Sequence, residues 1–246
     1  MSEKRAEQAA SFDRAAEVYE RARPEYPSDA VDWLLPEGAA TVLDLGAGTG
    51  KLTRALAVRG LEVFAVDPAP KMLDQLRAAI PDATISVGTA EDIPLADASV
   101  DAVLVAQAWH WVDQDAALPS VARVLRPGGT LGLIWNLRDD RVAWVRRLTA
   151  VMHQAEAEAF MDTGRIDRGP FGEPEEKRFE WSRDFTRADL LDLVRSRSYF
   201  ITAPETEQAR ILAGVGDLLD NDPDIGGRES WSMPYVTRAF RMRLPD

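Results

Sequence analysis

Cysteine is absent from all 246 residues, which removes disulfides, thiolate nucleophiles and cysteine-based zinc sites together. Histidine occurs twice, as His110 and His153. Two residues so far apart in sequence argue against a histidine-rich centre, and no metal is expected. No apolar stretch approaches the roughly 20 residues needed to span a bilayer. The charged, Ala-rich start, Met1 to Arg14, lacks the apolar segment of a secretory signal. A soluble, cytoplasmic protein with no membrane partner is the expectation. Positive charge is in short supply: 29 Lys+Arg stand against 41 Asp+Glu, a net charge of −12. Such a surface repels phosphate backbones, so nucleic acid is not an expected partner. With 46% apolar and 28% charged residues, the composition is that of an ordinary globular chain, long enough for a sizeable core.

Residues 1–36 read as helical and partly amphipathic, punctuated by Arg23-Pro24-Glu25-Tyr26-Pro27. Ser28 and Asp29 then offer cap oxygens to a short helix through Trp33 and Leu34. From Ala40 the pattern changes. Short apolar runs at Thr41–Leu45, Glu62–Asp67, Thr84–Val87, Val100–Ala106 and Thr130–Trp135 predict strands. Between them lie helical spacings: Leu52, Ala55 and Leu56 up to Gly60; Met72, Leu73, Leu76 and Ile80 up to Pro81; Leu118, Val121, Ala122 and Leu125 up to Pro127-Gly128-Gly129. Strand and helix alternating five times predict an α/β fold with a parallel, doubly wound sheet. Beyond Asn136 the spacing predicts a long helix over 142–160 and an exposed loop over 162–176. A strand over 177–185 follows, with a helix capped by Thr186, another over 204–219, and a last strand over 230–242.

The chemistry concentrates where the first strand turns into a helix, at Asp44-Leu45-Gly46-Ala47-Gly48-Thr49-Gly50. Glycines there let backbone pass close to a ligand, with helix N–H groups aimed at it. A phosphate-binding GxxxxGK[ST] loop fails twice, because Leu45 replaces its first glycine and Leu52 its Ser/Thr. The dinucleotide pattern GxGxxG needs glycine where Lys51 stands. The spacing of Asp44, Gly46, Gly48 and Gly50 matches S-adenosylmethionine (SAM) loops instead. Asp67 ends the second strand, where a carboxylate can accept from both ribose hydroxyls; its competing reading is a helix cap before Pro68. Val87 to Leu95 follows the third strand, where adenine would sit. Leu125 to Gly129 precedes the fifth.

Together these motifs resemble the class I SAM-dependent methyltransferases with a methyltransferase type 11 core, firmly over residues 38–136. Tyr19 to Pro27 and Ala108-Trp109-His110-Trp111 look like the trans-aconitate methyltransferase-like members. The resemblance implies a Rossmann-like, doubly wound seven-stranded sheet in the order 3-2-1-4-5-7-6 with strand seven antiparallel. It also implies an N-terminal helical lid over 1–36, a SAM-binding core over 37–136, and a C-terminal half over 137–246. That half would complete the sheet and carry a helical insertion over the acceptor side, the whole forming one domain.

Cofactor contacts are expected from Asp44, Gly46, Ala47, Gly48, Asp67, Pro68, Met72, Thr89, Ala90, Glu91, Asp92 and Gln107, with Tyr19 and Arg23 closing the methionine end. Thr89 departs from the acid common there, and Met72 more naturally packs beneath its helix. Trp109, His110, Trp135, Arg138 and Tyr26 are the expected acceptor residues, placed by the ends of strands four and five and by the lid. His110 is the expected base if the acceptor is a hydroxyl. A cation such as Arg23 or Arg138 suffices if it is a carboxylate. The expected function is methyl transfer from SAM to a small polar or anionic metabolite. A non-catalytic SAM-binding subunit and a nucleotide-dependent oxidoreductase are the competing readings. The DNA amino-methylation signature [DN]PP[YF] is absent after strand four, where Gln107-Ala108-Trp109-His110 stands.

Overall fold

The computed structural model describes residues 22–152, 156–163 and 165–246. Tyr19, His153 and the lid up to residue 21 lie outside them. The elements run α1 (Ser28–Leu34), β1 (Thr41–Leu45), α2 (Lys51–Ala57), β2 (Glu62–Asp67), α3 (Pro70–Ala79), β3 (Thr84–Val87) and β4 (Val100–Ala106). A single 3-10 turn covers Trp109–Trp111, before α4 (Gln114–Val124) and β5 (Leu125–Arg138). Then come α5 (Ala143–Met152), α6 (Glu156–Thr163), β6 (Glu175–Thr186), α7 (Arg187–Arg195), the short α8 (Ser198–Ile201), α9 (Glu205–Asn221) and β7 (Ser230–Arg243).

The seven strands form one sheet in the order β3-β2-β1-β4-β5-β7-β6, with β7 antiparallel. β1 pairs in parallel with β2 and β4, β2 with β3, and β4 with β5. β1, between β2 and β4, is fully buried, and its Val42, Leu43 and Leu45 suit a strand covered on both faces. The register Leu45↔Val66 and Asp44↔Leu104 brings the loop after β1 beside the ends of β2 and β4. In open parallel sheets this edge binds ligands.

Cα proximity divides the chain into two compact units. Unit 2 comprises Glu25–Trp135, Thr163–Phe179 and Thr237–Asp246. Its core joins Ala30, Val31 and Leu34 of α1 to Leu52 and Leu56 of α2, over strand residues such as Val42 and Leu104. Unit 1 comprises Met1–Pro24, Asn136–Asp162 and Glu180–Val236. There α5 buries Trp144, Val145, Leu148 and Met152, and α9 buries Ile211, Val215, Leu218 and Leu219. Those are the i, i+4 spacings of one helical face. Arg147 grips Asp222 through two N–H donors at 2.5 and 2.9 Å.

Several expectations need correction. The cap position before α1 is Pro27, with no side-chain bond; Ser28 is already helical and its hydroxyl accepts from Arg59 instead, at 2.7 Å. Pro127-Gly128-Gly129 does not separate α4 from its strand. β5 begins at Leu125, and Val100 pairs with Leu125 while Ala102 pairs with Thr130. The residues between bulge out of register at Gly128, whose φ is +73°. The 142–160 stretch is two helices on either side of residues outside the described set. The 162–176 loop is anchored as well as exposed, because Phe171 is buried. The Thr186 cap is confirmed: its hydroxyl accepts from Asp189 N–H while the Asp189 carboxylate accepts from Thr186 N–H.

Candidate functional site

Unit 2 builds its ligand edge from backbone. Gly46 and Ala47 N–H donate to the Val66 carbonyl at 2.8 and 3.1 Å, tying the loop after β1 to the end of β2. Gly46, Gly48 and Gly50 have φ of +77°, +56° and +93°, conformations that L side chains rarely adopt. A Cβ on Gly46 would stand 2.9 Å from the Ala108 Cβ, and one on Gly50 would stand 2.8 Å from Leu76. The loop is therefore pressed against both the segment after β4 and helix α3.

Asp67 holds this loop with its side chain. Its Oδ2 accepts from Gly48 N–H at 2.9 Å and its Oδ1 from Ala69 N–H at 2.8 Å. The helix-cap alternative fails, because α3 has Ala69 at its cap and Pro70 as its first residue. A carboxylate has about four acceptor directions. Asp44 differs. It is fully buried, its Oδ2 accepts from the Thr53 hydroxyl at 2.6 Å, and its Oδ1 has no partner. Burial, with the Asp67 charge adding to it, pushes its carboxyl up to about 7.

After β3, Ala90 and Ile93 are buried while Asp92 is exposed. Glu91 Oε1 accepts from Asp113 N–H at 3.0 Å. Thr89 is half-buried, Pro68 exposed and Met72 buried, so Met72 takes the packing position beneath α3. After β4, Gln107 has φ of +57° and donates its N–H to the Ile134 carbonyl at 2.9 Å. That bond starts the 3-10 turn. Trp109 and Trp135 have no exposed surface. The Trp109 indole donates to Gln114 Oε1 at 3.1 Å, and Gln114 in turn accepts from Asp167 N–H at 2.9 Å. The Trp135 indole donates to His110 Nδ1 at 3.3 Å. His110 and Trp111 are the half-buried members of the turn, their rings 4.8 Å apart.

The methyltransferase domain model matches residues 43–133, the span that holds the glycine loop, Asp67 and the 3-10 turn. A methyltransferase of Mycobacterium bovis, itself uncharacterised, is 51% identical over 240 residues, covering 98% of each chain. The chain belongs to the class I SAM-dependent methyltransferases. An uncharacterised methyltransferase-like protein of Schizosaccharomyces pombe is 37% identical over 232 residues, covering 90% of this methyltransferase and 91% of that protein. The structure of a candidate type II methyltransferase from Anaeromyxobacter dehalogenans superimposes with a TM-score of 0.72 at 27% identity, covering 91% of this chain and 99% of that one. Its cofactor is SAM.

The residues present fit that cofactor. The orphaned Asp44 Oδ1 supplies an acceptor for an ammonium, the glycine loop leaves room that a Cβ would fill, and Asp67 supplies acceptors for a diol. Other expected residues lie in different surroundings. Tyr26 packs on the α1 cluster of unit 2. In unit 1, Arg23 donates to the Ser196 hydroxyl and carbonyl at 3.2 and 3.3 Å. Arg138, also in unit 1, is buried and ion-paired to Glu158 Oε1 at 2.9 Å. Sequence reasoning missed Gln114 and Glu158, whose partners lie up to 53 residues away and leave no spacing to read. Among the described residues no cluster of three metal-ligating side chains occurs, and no helix is long and apolar enough to cross a membrane.

Proposed function

We propose that this methyltransferase transfers the methyl group to a carboxylate oxygen of a small anionic acceptor. The Trp135–His110 hydrogen bond carries the reading. An indole N–H can only donate, so His110 Nδ1 is an acceptor and the neutral ring holds its proton on Nε2. In that tautomer His110 Nε2 is a donor, with no lone pair for removing an acceptor proton. A hydroxyl acceptor needs such a base; a carboxylate is ionised at neutral pH and needs only donors and orientation.

SAM, when bound, supplies an electrophilic methyl on a cationic sulfur. Asp44 would receive the cofactor's ammonium and Asp67 its ribose hydroxyls, while Ala90 to Asp92 would border the adenine. His110 Nε2–H orients the acceptor anion against the Trp111 ring. Trp109 and Trp135 hold the turn rigid from behind. Alignment of this kind can supply on the order of 7–11 kcal/mol of the barrier. Two further observations support oxygen and acid. Relatives over about half the chain, including one of Methylococcus capsulatus at 42% identity over 115 residues, are named malonyl-[acyl-carrier protein] O-methyltransferase. The Tyr19–Pro27 and Trp109–Trp111 segments resemble the trans-aconitate methyltransferase-like branch.

The test is an acceptor screen with methyl-labelled SAM, setting mono-, di- and tricarboxylates against phenols and alcohols. Label is expected in base-labile esters; label confined to ethers or amines would overturn the reading. His110→Gln keeps a donor at the same reach but can never act as a base. Its kcat should stay within about tenfold of wild type, with no change in the shape of the pH profile.

A further inference from the structure

Among the described residues, unit 1 buries two arginines of which one, Arg138, has an ion pair. Arg138 ends β5 and is 5% exposed; Arg197, between α7 and α8, is 8% exposed. Arg138 Nη2 pairs with Glu158 and Nη1 reaches Met152 Sδ at 3.3 Å, but its Nε has no partner. Among the described residues the Arg197 side chain makes no ion pair and no hydrogen bond, and its Nε is buried. The two guanidinium charges oppose each other. Both act on the Tyr235 hydroxyl, as does Arg23. That hydroxyl is buried and unpartnered, on a ring stacked 4.7 Å from Trp181. Among the described residues, Glu158 is the carboxylate whose charge acts on Arg138.

Buried charges without partners are strongly unfavourable, and each orphaned donor adds its own desolvation cost. Arg138 Nε, Arg197 and the Tyr235 hydroxyl are all donors at least nine-tenths buried, within reach of one another's charge. A chain could remove this cost with a second carboxylate or an apolar side chain; here the donors stay and the acceptor is left out. We infer that unit 1 carries a binding site for a small carboxylate, held by Arg138 and Arg197 with the Tyr235 hydroxyl as a third donor. Planar guanidinium forks match the planar, two-oxygen geometry of a carboxylate. The apolar surroundings of Trp181, Phe200 and Trp231 favour a singly charged group on a short carbon chain over doubly charged inorganic phosphate.

Calorimetric titration of acetate and malonate into the full chain, at constant ionic strength, tests this, with chloride and inorganic phosphate as controls. One carboxylate should saturate at least tenfold more tightly than either control. Arg197→Met should lose that binding at least tenfold while melting, without ligand, at or above the wild-type temperature, because an unmatched buried charge is gone. Tyr235→Phe is the gentler variant and should weaken binding severalfold with the fold intact. Absence of saturation by either acid would overturn the site, as would equal affinity for phosphate. A lowered melting temperature in Arg197→Met together with unchanged malonate affinity in Tyr235→Phe would mark the cluster as purely structural. The site does not require the bound acid to be the methyl acceptor. An acid that binds and is never methylated removes the acceptor assignment above and leaves this site standing, whereas ester formation without saturable binding here does the reverse.

Discussion

At the ends of β1 and β2 the charged groups are carboxylates, and they are met by backbone N–H and a threonine hydroxyl. Inside unit 1 the two buried guanidiniums, Arg138 and Arg197, have between them one carboxylate and one sulfur atom as side-chain partners among the described residues. The difference lies in where specificity is stored. In the first region main-chain conformation does the recognition, and few side chains could replace what stands there. In the second, long side chains from separate elements converge, and packing must hold each of them. Losses in the first region should therefore appear as lost affinity, and losses in the second as lost stability.

The largest effect separating the two should come from Glu158→Gln. Removing the charge beside a guanidinium that is 1% exposed should destabilise the fold by about 3 kcal/mol, read by denaturant unfolding, with SAM affinity in the surviving folded protein little changed. Equal loss of SAM affinity would break the comparison. Next is Asp67→Ala, which removes the acceptors for Gly48 and Ala69 N–H. It should weaken SAM binding roughly tenfold or more, seen by calorimetry on a protein that still unfolds cooperatively.

Asp44→Asn should change stability with the opposite sign. The folded carboxyl titrates near 7 and the unfolded one near 3.8, so between those values the folded state holds a proton the unfolded chain has lost. Stability from this group is complete below pH 3.8 and falls as pH rises to about 7. At pH 8 the Asn variant should melt several degrees above wild type, the gap closing toward pH 4. The same ionisation makes SAM affinity of the wild type rise with pH up to about 7, a slope that Asn should abolish. A flat wild-type profile would contradict the ammonium contact.

The first region could be read from the chain alone. A buried parallel strand is an apolar run of fixed length, so β1 to β4 fall at the expected residues, and a loop with positive φ leaves glycines at fixed spacing. Asp44 and Asp67 stand out because each ends such a run. The bulge at Gly128 was not readable, since Pro-Gly-Gly stops a helix and distorts a strand with the same residues. Nor were Arg197 and Tyr235. Neither sits in a local pattern, and each gains its meaning only from Arg138, 59 and 97 residues earlier in the chain. His110 falls just after β4 as expected, but its hydrogen-bond partner Trp135 lies 25 residues on and leaves no spacing to read.

The close approach of Gly46 to Ala108 sets a limit on how this sequence can drift. The Ala108 methyl already occupies the volume that a side chain at 46 would need, 2.9 Å away, and the φ of +77° strains any side chain there. Exchange at position 46 is thus costly whatever its neighbour becomes. Position 108 is confined to small residues while Gly46 keeps its place. Lineages descending from this chain can remodel the turn from Trp109 onward, but they inherit a small residue before it as a boundary.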